Sequence, residues 1–345
     1  MKPQTKKIII SDPTLRDGNH AIKHQLSLNE IKKYLELIDK TGVDIIEIGH
    51  GNGLGASSLQ LGESLVSDKA MLSIARESLS STKLGIHIIP GFGRLSDLQL
   101  AVDEGVDVIR VASHCTEADT TERYIKFAHN AQKIVFGVLM MSHMTSKESL
   151  FNEARKMQDY GAEAIIIMDS AGAYLPEEVY DRIAYLVSHL EIKVGFHGHN
   201  NLSMAVSNSI MALKAGATLL DACICGFGAG AGNTALEVLV AVLYKYGYKT
   251  SIDFNELLKV VKHASNTFVK QYPMISELSL ASGMHGVFSG FAKPVKQAAD
   301  AFGVSELDIF ASLGRKKVIA GQEDLIIEVA QELAIKATHF KECHA

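Results

Sequence analysis

Four short stretches of the chain share one pattern: "TGVDIIEI", "EGVDVIRV", "YGAEAIII" and "AGATLLDA" each set a glycine ahead of an apolar run. Gly42, Gly105, Gly161 and Gly216 each follow a stretch with apolar residues at helical spacing. Each therefore reads as a helix C-cap that hands the chain to another parallel strand. Apolar runs at 7–12, 43–49, 83–89, 106–112, 134–140, 163–168, 192–198 and 218–225 predict eight strands, separated by helical stretches such as "SLNEIKKYLELIDK" and "PEEVYDRIAYLVSHL". Eight strand-helix alternations over about 245 residues predict a closed (β/α)8 or TIM barrel. An open doubly wound sheet is the alternative. Against it, the first strand is followed by Gly18 alone, with no GxGxxG to cradle a dinucleotide.

The rhythm changes after "GNTALEVLVAVLYKYG". Beyond it, helical spacing recurs around 254–268, 291–302, 305–312 and 322–337 without convincing strands. The expected organisation is a catalytic barrel over 1–250 and a helical C-terminal domain over 251–345 that packs on the barrel or on a partner. The segment "GMHGVFSGFAKP" at 283–294 reads as a glycine-rich loop, either a simple connection or a return to the barrel mouth.

Charge narrows the function classes. With 34 basic and 39 acidic residues, the net charge of −5 gives no electrostatic reason to expect nucleic acid or an anionic membrane as partner. There is no unbroken 18-residue apolar stretch, and the apolar core of "MKPQTKKIIISD" is too short for a secretory leader, so a cytoplasmic location is expected. Cysteines at 115, 223, 225 and 343 lack paired CxxC spacing and read as reduced thiols.

Barrel chemistry collects where strands end, because the loops there converge on one mouth. The first strand delivers Arg16 and Asp17, followed by His20. The seventh ends in "GFHGHNN", whose His197 and His199 point to one side by strand periodicity. Two imidazoles and the Asp17 carboxylate make a divalent-cation site with positions open for substrate or water. These donors leave Mn2+, Mg2+, Co2+ and Zn2+ all open. Arg16 has the fork geometry to hold a substrate carboxylate or an enolate, and His20 is near enough in sequence to act as a base. His24 is expected on a helix surface. His114, Cys115, His143, Asp169 and Ser170 finish other strands. Ser170 suits either substrate binding or loop capping, and Asp169 either the orientation of Arg16 or that of a metal ligand.

At "DPTLRDG", "HGHNN" and "GFGAGAGN" the chain resembles the metal-dependent superfamily of isopropylmalate synthases and hydroxymethylglutaryl-CoA lyases. Longer matches at "LRDGNHAIKHQ", "IEIGHGNGLGASS", "VIRVASHCTEAD", "MDSAG" and "GQEDLI" resemble the 4-hydroxy-2-oxovalerate aldolase family over nearly the whole chain. The resemblance implies a divalent ion, normally Mn2+, on Asp17, His197 and His199. It further implies Arg16 stabilising a pyruvate enolate, Ser170 assisting carboxylate binding, and His20 taking the 4-hydroxyl proton. A 4-hydroxy-2-oxo acid would then give pyruvate and an aldehyde. The resemblance also implies a homo-oligomer, an acylating aldehyde dehydrogenase as partner, and a place in aromatic hydrocarbon catabolism. Two departures stand out. Where the family usually has the tyrosine-bearing "GYAGVY", this chain has "GMHGVF", in which Met284 and Phe288 cannot donate a proton and His285 is the candidate replacement. The third strand carries His87 in the wall expected to meet the aldehyde. An acyl-CoA-dependent condensing enzyme or lyase of the same superfamily is the alternative activity.

Overall fold

The computed structural model describes residues 7–319 and 321–343, with side chains as far as 336. Its eight strands pair in sequence order and close into a barrel: β1 (Ile9–Leu15), β2 (Ile45–Ile48), β3 (Lys83–Ile88), β4 (Val108–His114), β5 (Ile134–Met140), β6 (Ala164–Asp169), β7 (Lys193–Gly198) and β8 (Leu219–Asp221). Every pairing is parallel, including β1 with β8. Closure rules out the open sheet. A helix follows each strand: α1 (Leu28–Ile38), α2 (Asp68–Ser78), α3 (Leu95–Asp103), α4 (Glu122–Asn130), α5 (Lys147–Tyr160), α6 (Pro176–His189), α7 (Ala205–Lys214) and α8 (Leu236–Tyr246). The four echo glycines take φ between 81° and 114°, the left-handed conformation that ends a helix without a Cβ penalty.

Two strands depart furthest from their predicted limits, and both departures shape the mouth. β1 runs on to Leu15 through a register shift between Asp12 and Leu15, which carries Arg16 to the rim. β8 stops at Asp221 instead of continuing to 225, where the chain turns at Ile224–Gly226. Inside the barrel, Ile45, Val108, Ala164 and Leu219 pack with Phe136, Val138, Ile166 and Met168. A larger core lies between the strands and the helices.

The C-terminal helices divide between two cores. α9 (Phe254–Thr267) lies against α1 and α8, and its Leu257, Val260 and Ala264 belong to the core around the barrel. α10 (Glu277–His285), α11 (Ala292–Phe302), α12 (Glu306–Lys316) and α13 (Asp324–Cys343) enclose a second core with Val287, Phe291, Val295, Phe310 and Val329. α10 takes in the first three residues of the segment read as a loop. Gly286 then stops it at φ 62°, and Phe288, Gly290, Phe291 and Pro294 return to the barrel mouth. Among the described residues, no helix is long and apolar enough to cross a membrane.

Candidate active site

A cavity of about 660 Å3 opens at the C-terminal ends of the strands. Arg16, Asp17, His20, His87, Ser170 and His199 all line it. His197 stands beside His199, with ring centroids 5.2 Å apart, and is 1% exposed. Asp17, His197 and His199 each bring one ligand atom within 4.8 Å of the others and could hold a metal ion.

The donor chemistry fits a cation. His197 Nε2 and His199 Nδ1 are buried without a hydrogen-bond partner, and Nε2 of His197 is 3.9 Å from Oδ2 of Asp17. Nδ1 of His197 lies 2.9 Å from Oδ2 of Asp221. A carboxylate can only accept, so Nδ1 carries the proton and Nε2 presents its lone pair to the site. Burial pushes His199 down to about 3 against the pull of Asp17, which leaves the ring neutral at pH 7. Burial alone would raise the Asp17 pKa. Arg16, helped by the nearby histidines, instead holds it well below the usual carboxylate range. Two lone pairs and one ionised oxygen thus meet at one point, as a two-histidine, one-carboxylate metal site requires.

Beside this cluster the cavity wall is built around Arg16. Its Nε donates to Oε2 of Glu47 at 3.0 Å, and its Nη1 donates to Oδ2 of Asp17 at 2.8 Å and to the Gly51 carbonyl at 3.2 Å. Nη2 is buried with no partner, so a rigidly held donor remains free. Ser170 Oγ accepts from the Met141 N–H at 3.0 Å, which leaves its own hydroxyl proton available to the cavity. His20 sits in the 3-10 turn Asp17–Ile22, and its pKa is lowered, chiefly by desolvation. It is therefore neutral at pH 7 and able to accept a proton. His87 is 2% exposed and its Nδ1 has no partner; burial, then Arg16, keeps its pKa well below the usual histidine value.

Among the curated proteins, the chain is 55% identical over 330 residues to the 4-hydroxy-2-oxovalerate aldolase of Pectobacterium atrosepticum, covering 95% of this chain and 96% of that protein. It is 54% identical over 327 residues to the 4-hydroxy-2-oxovalerate aldolase of Spirochaeta aurantia, covering 94% and 96%. The chain belongs to the 4-hydroxy-2-oxovalerate aldolase family. It is an aldolase, with residues 7–263 matching the HMGL-like family and residues 273–335 the DmpG-like communication domain. The carboxyl transferase domain of Rhizobium etli pyruvate carboxylase shares its fold, with a TM-score of 0.81 at 14% identity over 97% of this chain and 62% of that one.

Several residues of the aldolase lie elsewhere than its sequence suggested. His285 ends α10 and is not among the residues lining the cavity. It backs onto α12, where a Cβ placed at Gly314 would lie 2.9 Å from its own Cβ. Of the two positions lacking a phenol, Phe288 lines the cavity whereas Met284 is 72% exposed. His24 is buried rather than on a helix surface, because left-handed backbone at Lys23 and His24 turns it inward to stack on His50 with ring centroids 3.6 Å apart. Asp169 orients neither Arg16 nor a metal ligand; its oxygens accept the N–H groups of Ala173 and Tyr174 at 2.9 and 3.1 Å. Cys115, Cys223 and Cys225 are buried free thiols, and the side chain of Cys343 lies outside the described residues.

Sequence reasoning missed the buried polar support. Glu47 and Asp221 hold Arg16 and His197, Arg110 bridges the two carboxylates, and Asn233 Nδ2 donates to Oδ1 of Asp17 at 2.9 Å. A signal was present. Glu47, Arg110 and Asp221 stand at the same place in three of the four echoes, five residues after Gly42, Gly105 and Gly216.

Proposed function

We propose that this aldolase cleaves a 4-hydroxy-2-oxo acid into pyruvate and an aldehyde through a pyruvate enolate, and in reverse adds pyruvate to an aldehyde. The observation carrying this reading is that the unpartnered Nη2 of Arg16, the free hydroxyl proton of Ser170 and neutral His20 line the same cavity as the ligands Asp17 and His199. A divalent cation on Asp17, His197 and His199, Mn2+ ahead of Mg2+, Co2+ or Zn2+ on family resemblance, supplies carbonyl polarisation and charge stabilisation.

The chain's own groups do the rest. Ser170 donates to the substrate carboxylate. His20 takes the 4-hydroxyl proton as the C3–C4 bond breaks, so that C4 leaves as the aldehyde carbonyl and the bonding electrons pass into the enolate. Nη2 of Arg16 donates to the enolate oxygen, where negative charge develops and a preorganised buried donor is most effective. Phe288 has no proton to give and His285 is not among the cavity's lining residues, so the proton that His20 took from the 4-hydroxyl returns to C3 of the enolate, directly or through water, and gives pyruvate. His87 offers a neutral ring to an oxygen of the aldehyde partner, which favours a carbonyl compound more polar than acetaldehyde.

The communication-domain match at 273–335 supports contact with an acylating aldehyde dehydrogenase; a homo-oligomeric assembly in the cytoplasm belongs to the same proposal, on family resemblance and the sequence alone. On this reading the catalytic unit runs through α9, whose apolar face belongs to the barrel core, and the contact unit comprises α10 to α13. The test is to incubate metal-replete protein with pyruvate and a panel of alkyl and hydroxylated aldehydes and to look for adducts by mass spectrometry. A metal-dependent adduct supports the reading, and its mass names the acceptor; no adduct from metal-loaded protein overturns it.

A further inference from the structure

Beneath the cavity, one continuous line of buried charge crosses the barrel. Arg110 leaves β4, is 1% exposed and lines no part of the cavity. β8 stands four places from β4 around the closed ring, on the opposite wall. The guanidinium spans that distance: Nη1 and Nη2 donate to Oδ1 and Oδ2 of Asp221 at 3.0 and 2.6 Å, and Nη1 also meets Oε1 of Glu47 on β2. Each carboxylate then has a second task. Oδ2 of Asp221 accepts from Nδ1 of His197 at 2.9 Å, and Oε2 of Glu47 accepts from Nε of Arg16 at 3.0 Å. The order of contacts is therefore His197, Asp221, Arg110, Glu47, Arg16.

Register explains how these residues meet. In an eight-stranded barrel, alternate strands contribute one inward layer of side chains. The residues five after the echo glycines on β2, β4, β6 and β8 are Glu47, Arg110, Ile166 and Asp221, so three of the four are charged. Stability does not account for this. A buried charge triad is about as stable as well-packed apolar residues of the same volume, or less so. What the triad provides is placement, because both of its outer bonds end on residues of the site.

We propose that Arg110 is a positioning residue that sets the metal ligand His197 and the enolate donor Arg16 together, through Asp221 and Glu47. Its effect on Arg16 rests on the function proposed above, whereas its effect on His197 is read from metal binding alone. Without Arg110, two carboxylates share the barrel interior with no cation between them, and neither keeps its orientation.

The test is Mn2+ titration of metal-free protein by calorimetry, alongside kcat and KM for pyruvate in the aldol direction. D221N removes the negative charge behind His197 and should weaken Mn2+ binding by about 10–100-fold, the usual effect of changing the partner behind a metal-ligating histidine. E47Q should leave Mn2+ binding close to wild type and lower kcat for aldol addition, because the donor that Glu47 holds acts on the enolate. R110M should do both, and adding D221N to R110M should weaken Mn2+ binding little further, since the two act through one contact. R110K keeps the charge but not the fork, and should fall between wild type and D221N in Mn2+ affinity; it carries the test if R110M does not fold. An Arg110 variant that melts earlier yet binds Mn2+ and turns over pyruvate as wild type does would overturn the proposal. Wild-type Mn2+ binding with no aldol product would sink the functional reading and leave the metal half standing.

Discussion

Gly51→Ala tests the placement of His20 by setting one methyl against its ring while keeping the Gly51 carbonyl that Arg16 uses. Gly51 does not adopt a left-handed φ, so alanine is tolerated by the backbone itself. Its Cβ, however, would lie 2.5 Å from Cε1 and 2.6 Å from Cδ2 of His20, on the ring edge that also carries Nε2. Ordinary contact begins at 3.4 Å, so the ring must retreat by about 0.9 Å. It cannot do so and keep its present relation to the cavity. Misplacing a reacting group by about 1 Å costs on the order of 100-fold in rate, or about 2.7 kcal/mol of barrier. We expect kcat for retro-aldol cleavage to fall by about that factor, with Mn2+ affinity unchanged because neither Asp17 nor the two histidine ligands touch Gly51. H20A in the G51A background should then lose little more, since the methyl has already displaced the group that the second change removes. A folded G51A protein with wild-type kcat would refute the reasoning, and so would fully additive losses in the double variant.

His197→Ala should weaken Mn2+ binding by more than the roughly 10–100-fold caused by losing a hydrogen bond behind a ligand; unchanged occupancy by atomic absorption would reject the ligand assignment. Phe288→Tyr places a phenol at the cavity wall and should speed exchange of the pyruvate methyl protons with deuterated water, read by NMR; an unchanged rate would show that this position does not reach the enolate. Stability should fall as pH drops from about 6.5 toward 4. Burial holds His199 and His24 near about 3 and His50 near about 4, so the folded state resists protonation that the unfolded chain accepts. Their contribution is complete above the unfolded histidine pKa and is lost below it. Asp12, raised to about 6 by burial, and Asp68, Asp169 and Glu237, which burial also raises, work the opposite way over part of that range, but burial lowers His20, His87, His114 and His263 as well, so the histidines prevail. A melting temperature that is flat between pH 7 and pH 5 would contradict this.

Much of the fold was legible because helix ends and strand starts leave local marks: the echo glycines fix both at once, and their spacing counts the strands. The clustering of Asp17, His197 and His199 was legible for a similar reason, since the two histidines are two apart at the end of β7 and Asp17 lies two residues beyond β1. α10 carries such marks, Ser276 at its start and Gly286 at its end, but its own residues do not read as a helix. Its "ELSLASGMH" has two serines and a glycine where a helix would carry stronger formers, and it is held by burial of Ala281, Ser282 and Gly283 against neighbouring elements. The choice between His285 and Phe288 depended on where that helix stops, because Gly286 turns the chain between them. His24 was misplaced because two consecutive left-handed residues, Lys23 and His24, replaced the helix its spacing suggested.

The charged layer was overlooked for a different reason. Glu47 in "IIEI", Arg110 in "VIRV" and Asp221 in "LLDA" each look like a defect in a buried strand, because a strand taken alone gives a charged side chain no partner. Only closure supplies the partners, by bringing β2, β4 and β8 to face one another across the barrel. A charge recurring at one fixed distance from a repeated cap is therefore information about the barrel as a whole. Three strands breaking the apolar pattern at the same height, with signs that balance as a cation between two anions, predict a cross-barrel ion pair before any coordinates exist. Its place below the mouth then predicts which residues it must hold, and here those are Arg16 and His197.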